Sequence, residues 1–215
     1  MPQASPRPGR EPWNDAEYIP RTREFFGVRA AAWDTKYGED IPSYTAAIEQ
    51  ARLPAGGTVI DVGCGTGRAV PCLREAVGPG GTVLAMDLTP EMLDAAAPKC
   101  EKAGAALVLA DARRIPVPDA SVDAVFAAGL IMHLPDTDAG FRELARIIRP
   151  GGKLVLFHPT GRQALANRHG RTISPDEPLS PEPLKRATAA AGWNLTVYDD
   201  ADTRFFAVAV RAVRG

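Results

Sequence analysis

Val59-Ile60-Asp61-Val62-Gly63-Cys64-Gly65-Thr66-Gly67-Arg68 is the stretch on which the fold turns. With Thr58, its first four residues make a short, β-branched, apolar run, which predicts a buried strand. The strand ends in an acid and runs into three alternating glycines, Gly63, Gly65 and Gly67. In an open α/β sheet, ligands sit at the carboxyl ends of strands, near the point where strand order reverses. Glycines there let the backbone approach a ligand closely, and the following helix offers unpaired N–H groups. A plain strand-to-helix turn has no use for three glycines in five residues.

Outward from this loop the rhythm is strand, helix, strand, helix. A helix is predicted from about Arg68 to Val77, stopped by Gly78-Pro79-Gly80-Gly81. Thr82–Met86 is a second strand ending at Asp87. Thr89 followed by Pro90 reads as an N-cap with Pro at the first helical position, opening a helix to about Ala103. Strands follow at Ala105–Ala110 and Val122–Ala128. Asp138 is expected to cap a helix to about Ile148, closed by Arg149-Pro150-Gly151-Gly152, and Lys153–Phe157 is strand five. Five apolar strands separated by helices predict an α/β layer structure around a mostly parallel sheet. Residues 159–179 read as polar connection and Leu184–Ala191 as a helix. Trp193–Tyr198 and Arg204–Arg211 read as an antiparallel hairpin at the sheet edge, because the turn between them is short.

Before the core, residues 1–14 are Pro-rich and predict a flexible tail. Residues 15–50 predict a helical arm or lid of two short helices, split near Gly38 and Pro42 and carrying Phe25, Phe26, Trp33, Tyr37 and Tyr44. The main domain is then 51–215, with 159–192 as an insertion on the substrate side.

Composition narrows the function. The chain has 215 residues, 45% of them hydrophobic, and a net charge of −1. That suits one folded domain and argues against a chain built to coat nucleic acid or an acidic membrane. No apolar run is long enough to span a membrane. The N-terminal residues lack the apolar core of a secretory signal. Cys64, Cys72 and Cys100 have neither disulfide nor zinc-knuckle spacing, so free thiols in a reducing cytoplasm are expected. Abundant Arg and Ala suggest a GC-rich bacterial genome. No carboxylate cluster has metal-ligand spacing, so no metal is expected.

Asp87, at the end of strand two, is placed to accept hydrogen bonds from both hydroxyls of a ribose. A nicotinamide enzyme would share that acid and the glycine loop. Three residues separate the two cases. Arg68 stands where the dinucleotide pattern wants a small residue, Asp61 precedes the first glycine, and a further acid-small pair, Asp111-Ala112, follows strand three.

With these residues the chain resembles the class I S-adenosylmethionine-dependent methyltransferases, in particular small-molecule enzymes with an HLPD signature. The resemblance rests on VIDVGCGTGR (59–68), VLAMDLTPEML (83–93), ADARRIPVPDASVDAVFAAGLIMHLPD (110–136) and RPGGKLVLF (149–157). It implies a Rossmann-like, doubly wound α/β fold. The implied seven-stranded sheet has order 3-2-1-4-5-7-6, with strand seven antiparallel and the helical arm at the N-terminus.

The cofactor implied is S-adenosyl-L-methionine, with S-adenosyl-L-homocysteine as product. Asp61 and the backbone of Gly63, Cys64 and Gly65 would hold the methionine moiety, and Asp87 the ribose. Leu88 and Met92 would pack on the adenine, Asp111 would accept from its amino group, and the Ala112 N–H would bond its ring. Ala128 and Gly129 would line the sulfonium region.

Phe25–Tyr37 resembles the segment that folds over the cofactor in related enzymes, which places Trp33 and Tyr37 in the pocket. His133 is the candidate base, since an imidazole titrates in the right range. His158 ends strand five, with a loop hydrogen bond as its plainer role. His169 lies in a polar loop.

The expected partner is a small-molecule acceptor, with no nucleic acid and no membrane, in a cytoplasmic monomer or homodimer. The reading on this basis is methyl transfer to a small molecule, within natural-product or secondary metabolism. Two alternatives stand beside it. One is a cyclase or isomerase that binds the cofactor without methylating, and the other is a non-catalytic interaction protein.

Overall fold

The computed structural model describes residues 15–37 and 40–213. The tail expected over 1–14 and the break expected at Gly38 lie outside the described residues. The helices are α1 (Asp15–Tyr37), α2 (Ile41–Ala51), α3 (Val70–Val77), α4 (Pro90–Ala103), α5 (Thr137–Ile147), α6 (Arg162–Arg168) and α7 (Pro181–Ala190). The strands are β1 (Thr58–Val62), β2 (Thr82–Asp87), β3 (Ala106–Leu109), β4 (Val122–Ala128), β5 (Ile148–His158), β6 (Trp193–Ala201) and β7 (Arg204–Arg211).

The seven strands form one sheet in the order β3-β2-β1-β4-β5-β7-β6. The first four pairings are parallel, and β7 runs antiparallel to both β5 and β6. This is the Rossmann-like topology expected from the resemblance. Strand order reverses between β1 and β4, so the switch point lies at the carboxyl end of β1, where the glycine loop begins.

Alternation along β1 sends Val59 to one face of the sheet and Ile60 and Val62 to the other. Val59 joins Tyr44, Ile48, Leu73, Phe126 and Phe157 under α2, α3 and α4. Ile60 and Val62 join Phe141, Leu144, Trp193 and Phe205 under α5 and α7. By the same period Asp61 points with Val59, an acid in line with core residues. Among the described residues, no helix is long and apolar enough to cross a membrane.

The structure corrects several boundaries. The first arm helix is not short: α1 runs 23 residues, with Pro20 inside it. Its length comes from docking on the body of the protein, which outweighs the proline and Gly27. The N-cap of α5 is Asp136, whose carboxylate accepts the Ala139 N–H at 2.8 Å, and not Asp138.

Thr89 caps α4 by backbone geometry alone; its hydroxyl is buried with no partner. The Arg149–Gly152 segment does not separate helix from strand. It belongs to β5, which pairs with β4 from Ile148 across a register shift between Val122 and Ala124. Residues 162–168, read as loop, are helix α6, and α7 begins three residues before the expected Leu184.

Candidate functional site

The glycine loop is shaped by left-handed backbone. Gly63, Gly65 and Gly67 have φ of 74°, 53° and 75°, a region that side-chain-bearing residues rarely adopt. The Gly63 and Cys64 N–H groups both donate to the Met86 carbonyl, at 2.8 and 2.9 Å. The Gly65 N–H donates to Asp87 Oδ2 at 2.9 Å. The loop is therefore welded to β2, with the N–H groups of residues 63–65 all committed within the protein. Space above Gly65 is open: a Cβ there would meet only Met92 Sδ, at 3.9 Å. Cys64 is buried, and burial pushes its thiol up.

Asp61 is 1% exposed, and neither carboxylate oxygen has a hydrogen-bonding partner. Burial, and then the charge of Asp87, push its pKa up to about 8. Asp87 also accepts the Thr89 N–H at 2.8 Å on Oδ1. Burial raises its pKa too, against the pull of the Thr89 and Gly65 hydrogen bonds. Two acids thus flank the loop, one wholly unpartnered and one anchored through both oxygens.

Met92 is fully buried beside Gly65, and the Leu88 carbonyl accepts Arg23 Nε at 3.0 Å from α1. Asp111 is engaged by Arg113, which reaches Oδ2 with Nε at 2.9 Å and Nη2 at 2.7 Å. The Arg113 N–H donates to Oδ1 at 2.9 Å. The same guanidinium lies 4.4 Å over the ring of Tyr18. Ala112, next in the chain, is buried.

On the other side of the switch point, Ala128 ends β4. Gly129 follows at φ 67° and donates to the Phe157 carbonyl at 2.8 Å. His133 lies on a 3-10 turn (Ile131–His133). Its Nδ1 is sealed without a partner, and burial lowers its pKa to about 4, with His158 adding to the shift.

Helix α1 lies across all of this. Tyr18 is 3% exposed, and the charges of Asp111 and Asp87 both act on its phenol. The Phe26 ring stands edge-on to His133 at 5.2 Å. Asp34 accepts the Thr66 hydroxyl and the Lys99 Nζ, the latter at 2.6 Å. The Tyr37 carbonyl accepts from Arg68, which also pairs with Asp40 at 3.3 Å.

Trp33 packs between Phe26 and Tyr37 and is half-buried, whereas the Tyr37 side chain is exposed. Tyr18 and Asp34 thus stand at the site without a signal in the sequence, whereas Phe26 is one of the aromatic residues expected on the arm. Arg68 gave a signal, as a large residue where a nucleotide loop wants a small one.

A narrow cleft, with a cavity volume of about 20 Å³, opens between the ends of β4 and β5, α6 and the start of β7. Gly129, Leu130 and His158 are among its lining residues, so it adjoins the glycine loop side of the sheet. Among the described residues, no three His, Cys, Asp or Glu side chains cluster as metal ligands would.

Comparison with known proteins covers much of the same stretch of chain. Residues 60–156 match the family of methyltransferase domains. Methyltransferase GfsG of Streptomyces halstedii is 35% identical over 112 residues, covering 50% of this chain and 40% of that protein. The 27-O-demethylrifamycin SV methyltransferase of Amycolatopsis mediterranei is 34% identical over 126 residues, covering 54% and 46%. The chain therefore spans less than half the length of these two relatives. A solved SAM-dependent methyltransferase from Aquifex aeolicus shares the fold with a TM-score of 0.71 at 24% identity, over 86% of this chain and 97% of that one. The glycine loop, Asp61, Asp87 and the switch point all lie within the residues that match the methyltransferase-domain family, on the fold that the solved S-adenosylmethionine-dependent methyltransferase shares.

Proposed function

We propose that the chain transfers the methyl group of S-adenosylmethionine to a small-molecule acceptor by in-line displacement. The observation that carries the reading is Asp61. An unpartnered buried carboxylate costs several kcal/mol, so Asp61 weakens the fold that holds it. An ammonium group seated beside it removes that penalty, and the methionine moiety carries one.

The rest of the site fits the same molecule. Asp87 keeps acceptor capacity beyond its two backbone bonds, as two ribose hydroxyls require. The open, side-chain-free surface at Gly65 leaves room for the methionine moiety, and Leu88 and Met92 would pack on the adenine. Asp111 and Ala112 stand where the adenine edge would lie, with Asp111 sharing its carboxylate with Arg113. Ala128 and Gly129 border the sulfonium. When bound, the cofactor supplies an already activated methyl group, so the protein's work is alignment and exclusion of water.

Helix α1 does the excluding in this reading, acting as a lid. Its first half (Tyr18, Arg23) covers the nucleoside end, and its second half (Phe26, Trp33, Asp34) covers the methionine and methyl end. His133 is neutral at pH 7 and packs on Phe26, which suits a wall of the methyl-transfer chamber. The acceptor enters from the cleft beside Gly129, bounded by the 159–192 insertion. Natural-product chemistry is the favoured setting, in line with the rifamycin methyltransferase among the relatives.

Incubation of the purified chain with S-adenosylmethionine and a panel of phenolic and polyketide acceptors tests this. Acceptor-dependent formation of S-adenosylhomocysteine supports methyl transfer. Turnover of an acceptor with the cofactor intact would favour the non-methylating alternative.

A further inference from the structure

The acceptor cleft is nearly all carbon. Leu130, Ile131, Met132, Leu165, Leu179 and Phe205 are among its walls, and its polar side chains are His158, Thr160 and Arg162. Two of those three are committed elsewhere. The Arg162 guanidinium donates to Ser180 Oγ at 2.7 Å and to the Tyr198 hydroxyl at 3.3 Å, and pairs with Asp200 and Glu177. Thr160 Oγ1 accepts Arg168 Nη1 at 3.2 Å.

His158 is different. Its Nδ1 lies 2.8 Å from the Thr160 carbonyl oxygen and 3.1 Å from the Thr160 nitrogen. The Thr160 N–H points at the same nitrogen, so only one of the two contacts is made at a time; in the Nδ1–H tautomer the ring donates to the carbonyl and Nε2 keeps a free lone pair. Its Cδ2, bonded to that Nε2, would lie 3.8 Å from a Cβ placed on Gly129, so this edge of the ring borders the gap that Gly129 leaves. In the proposed methyl-transfer reading, Gly129 borders the sulfonium. The charged and titratable groups acting on the ring are Asp40, Arg168, Arg68 and His133. Burial is the largest influence and lowers its pKa, so the ring is neutral at pH 7.

The turn that presents it is rigidly built. The Gly161 N–H donates to the Asp202 carbonyl at 3.1 Å, and a Cβ on Gly161 would collide with the Ala201 carbonyl. The Arg162 N–H donates to Asp200 Oδ1 at 2.8 Å. The carbonyl that fixes the ring of His158 is thereby bolted to the β6–β7 hairpin.

We infer that the cleft takes a largely apolar molecule bearing a hydroxyl group, and that His158 is the catalytic residue that takes the hydroxyl proton. The inference rests on the methyl-transfer reading above. In the step, a lone pair of the acceptor oxygen forms the new C–O bond while the C–S bond breaks and its electron pair stays on sulfur. The O–H proton passes to His158 Nε2 and from there to water, leaving a methyl ether and the thioether product.

The test uses the full chain with ¹⁵N-labelled histidine, saturated with S-adenosylhomocysteine, and 2-naphthol as the probe. Long-range ¹H–¹⁵N spectra report the tautomer of each of the three imidazoles. Resonances are assigned with His158→Gln, or by elimination with His133→Gln and His169→Gln if that variant does not fold. The expected result is an Nδ1–H tautomer for His158 and an Nε2 resonance that shifts on adding 2-naphthol but not on adding 2-methoxynaphthalene. An Nε2–H tautomer would overturn the assignment. So would a 2-naphthol response at His133 alone, or none at all. Failure of the homocysteine product to bind would instead strike the methyl-transfer reading.

Discussion

Asp87 accepts the Gly65 N–H at 2.9 Å, so this acid, proposed to hold the ribose, and the glycine loop move as one body. Replacing Asp87 with Ala removes the acceptor for the ribose and releases the loop together. Hydrogen bonds to a charged group are worth about 1.5–3 kcal/mol, which predicts roughly a tenfold to hundredfold loss of S-adenosylhomocysteine affinity. Calorimetric titration of the variant checks it, and unchanged affinity would refute the ribose assignment.

Proton linkage at Asp61 follows from its raised pKa. With a free-state value near 8, the carboxyl is mostly protonated at pH 7. Pairing with an ammonium favours the charged form and lowers that value in the complex. Binding therefore releases protons at pH 7, and affinity falls as pH drops below about 8. Titrations at pH 7 in phosphate and in Tris should give different apparent enthalpies. Equal enthalpies in the two buffers would contradict the linkage.

His133 has the opposite sign of perturbation for its type. Its folded-state value near 4 lies below that of the unfolded chain, so the unfolded state takes the proton first as pH falls. Stability is lost progressively from about pH 6.5 toward pH 4, by about 1–2 kcal/mol at pH 5. His133→Phe should therefore gain on the wild type as pH falls from 7 to 5. Thermal melts of both proteins at the two pH values measure this; a constant difference would show that His133 does not carry the effect.

Arg162 is 5% exposed and ties α6 to Asp200, Glu177, Tyr198 and Ser180. Arg162→Met strands two carboxylates that it now pairs. Breaking a buried pair from one side costs about 3 kcal/mol, so a melting point lower by roughly 6–12 °C is expected. A melt within a degree of wild type would mean that the insertion is held by other contacts.

Asp34 joins α1 to the glycine loop through Thr66 and to α4 through Lys99. It is partly exposed, and exposed pairs are worth about 0.2–1 kcal/mol, so Asp34→Ala should speed cofactor release only about twofold to fivefold. Stopped-flow measurement of S-adenosylhomocysteine dissociation reads this directly. An unchanged rate would count against α1 as a lid.

Much of this architecture is legible in the sequence, for identifiable reasons. β1 and its loop are legible because β-branched residues and glycines each have one dominant structural use there. Strand order comes only through the family resemblance that the motifs carry, and the terminal hairpin from a connection too short for anything else.

What escaped depends on distant contacts. Helix α6 has seven residues, too few to announce itself, and is held by Arg162 reaching residues 15 to 38 positions away. Pro150, Gly151 and Gly152 read as a stop, yet pairing of Ile148 with Val122 makes the segment part of β5. The Asp111–Arg113 pair is two residues apart in sequence, and only the fold shows it facing Tyr18. His158 was read for its loop hydrogen bond, which the structure contains; its place on the cleft needed coordinates.

The most direct test of the account is titration of S-adenosylhomocysteine into the purified chain and into Asp61→Asn, which keeps the shape of the side chain and removes its charge. The account predicts saturable one-to-one binding to the wild type and a loss of at least roughly a hundredfold in the variant, as expected for an unpaired buried charge. No binding by the wild type, or equal binding by both proteins, would contradict it.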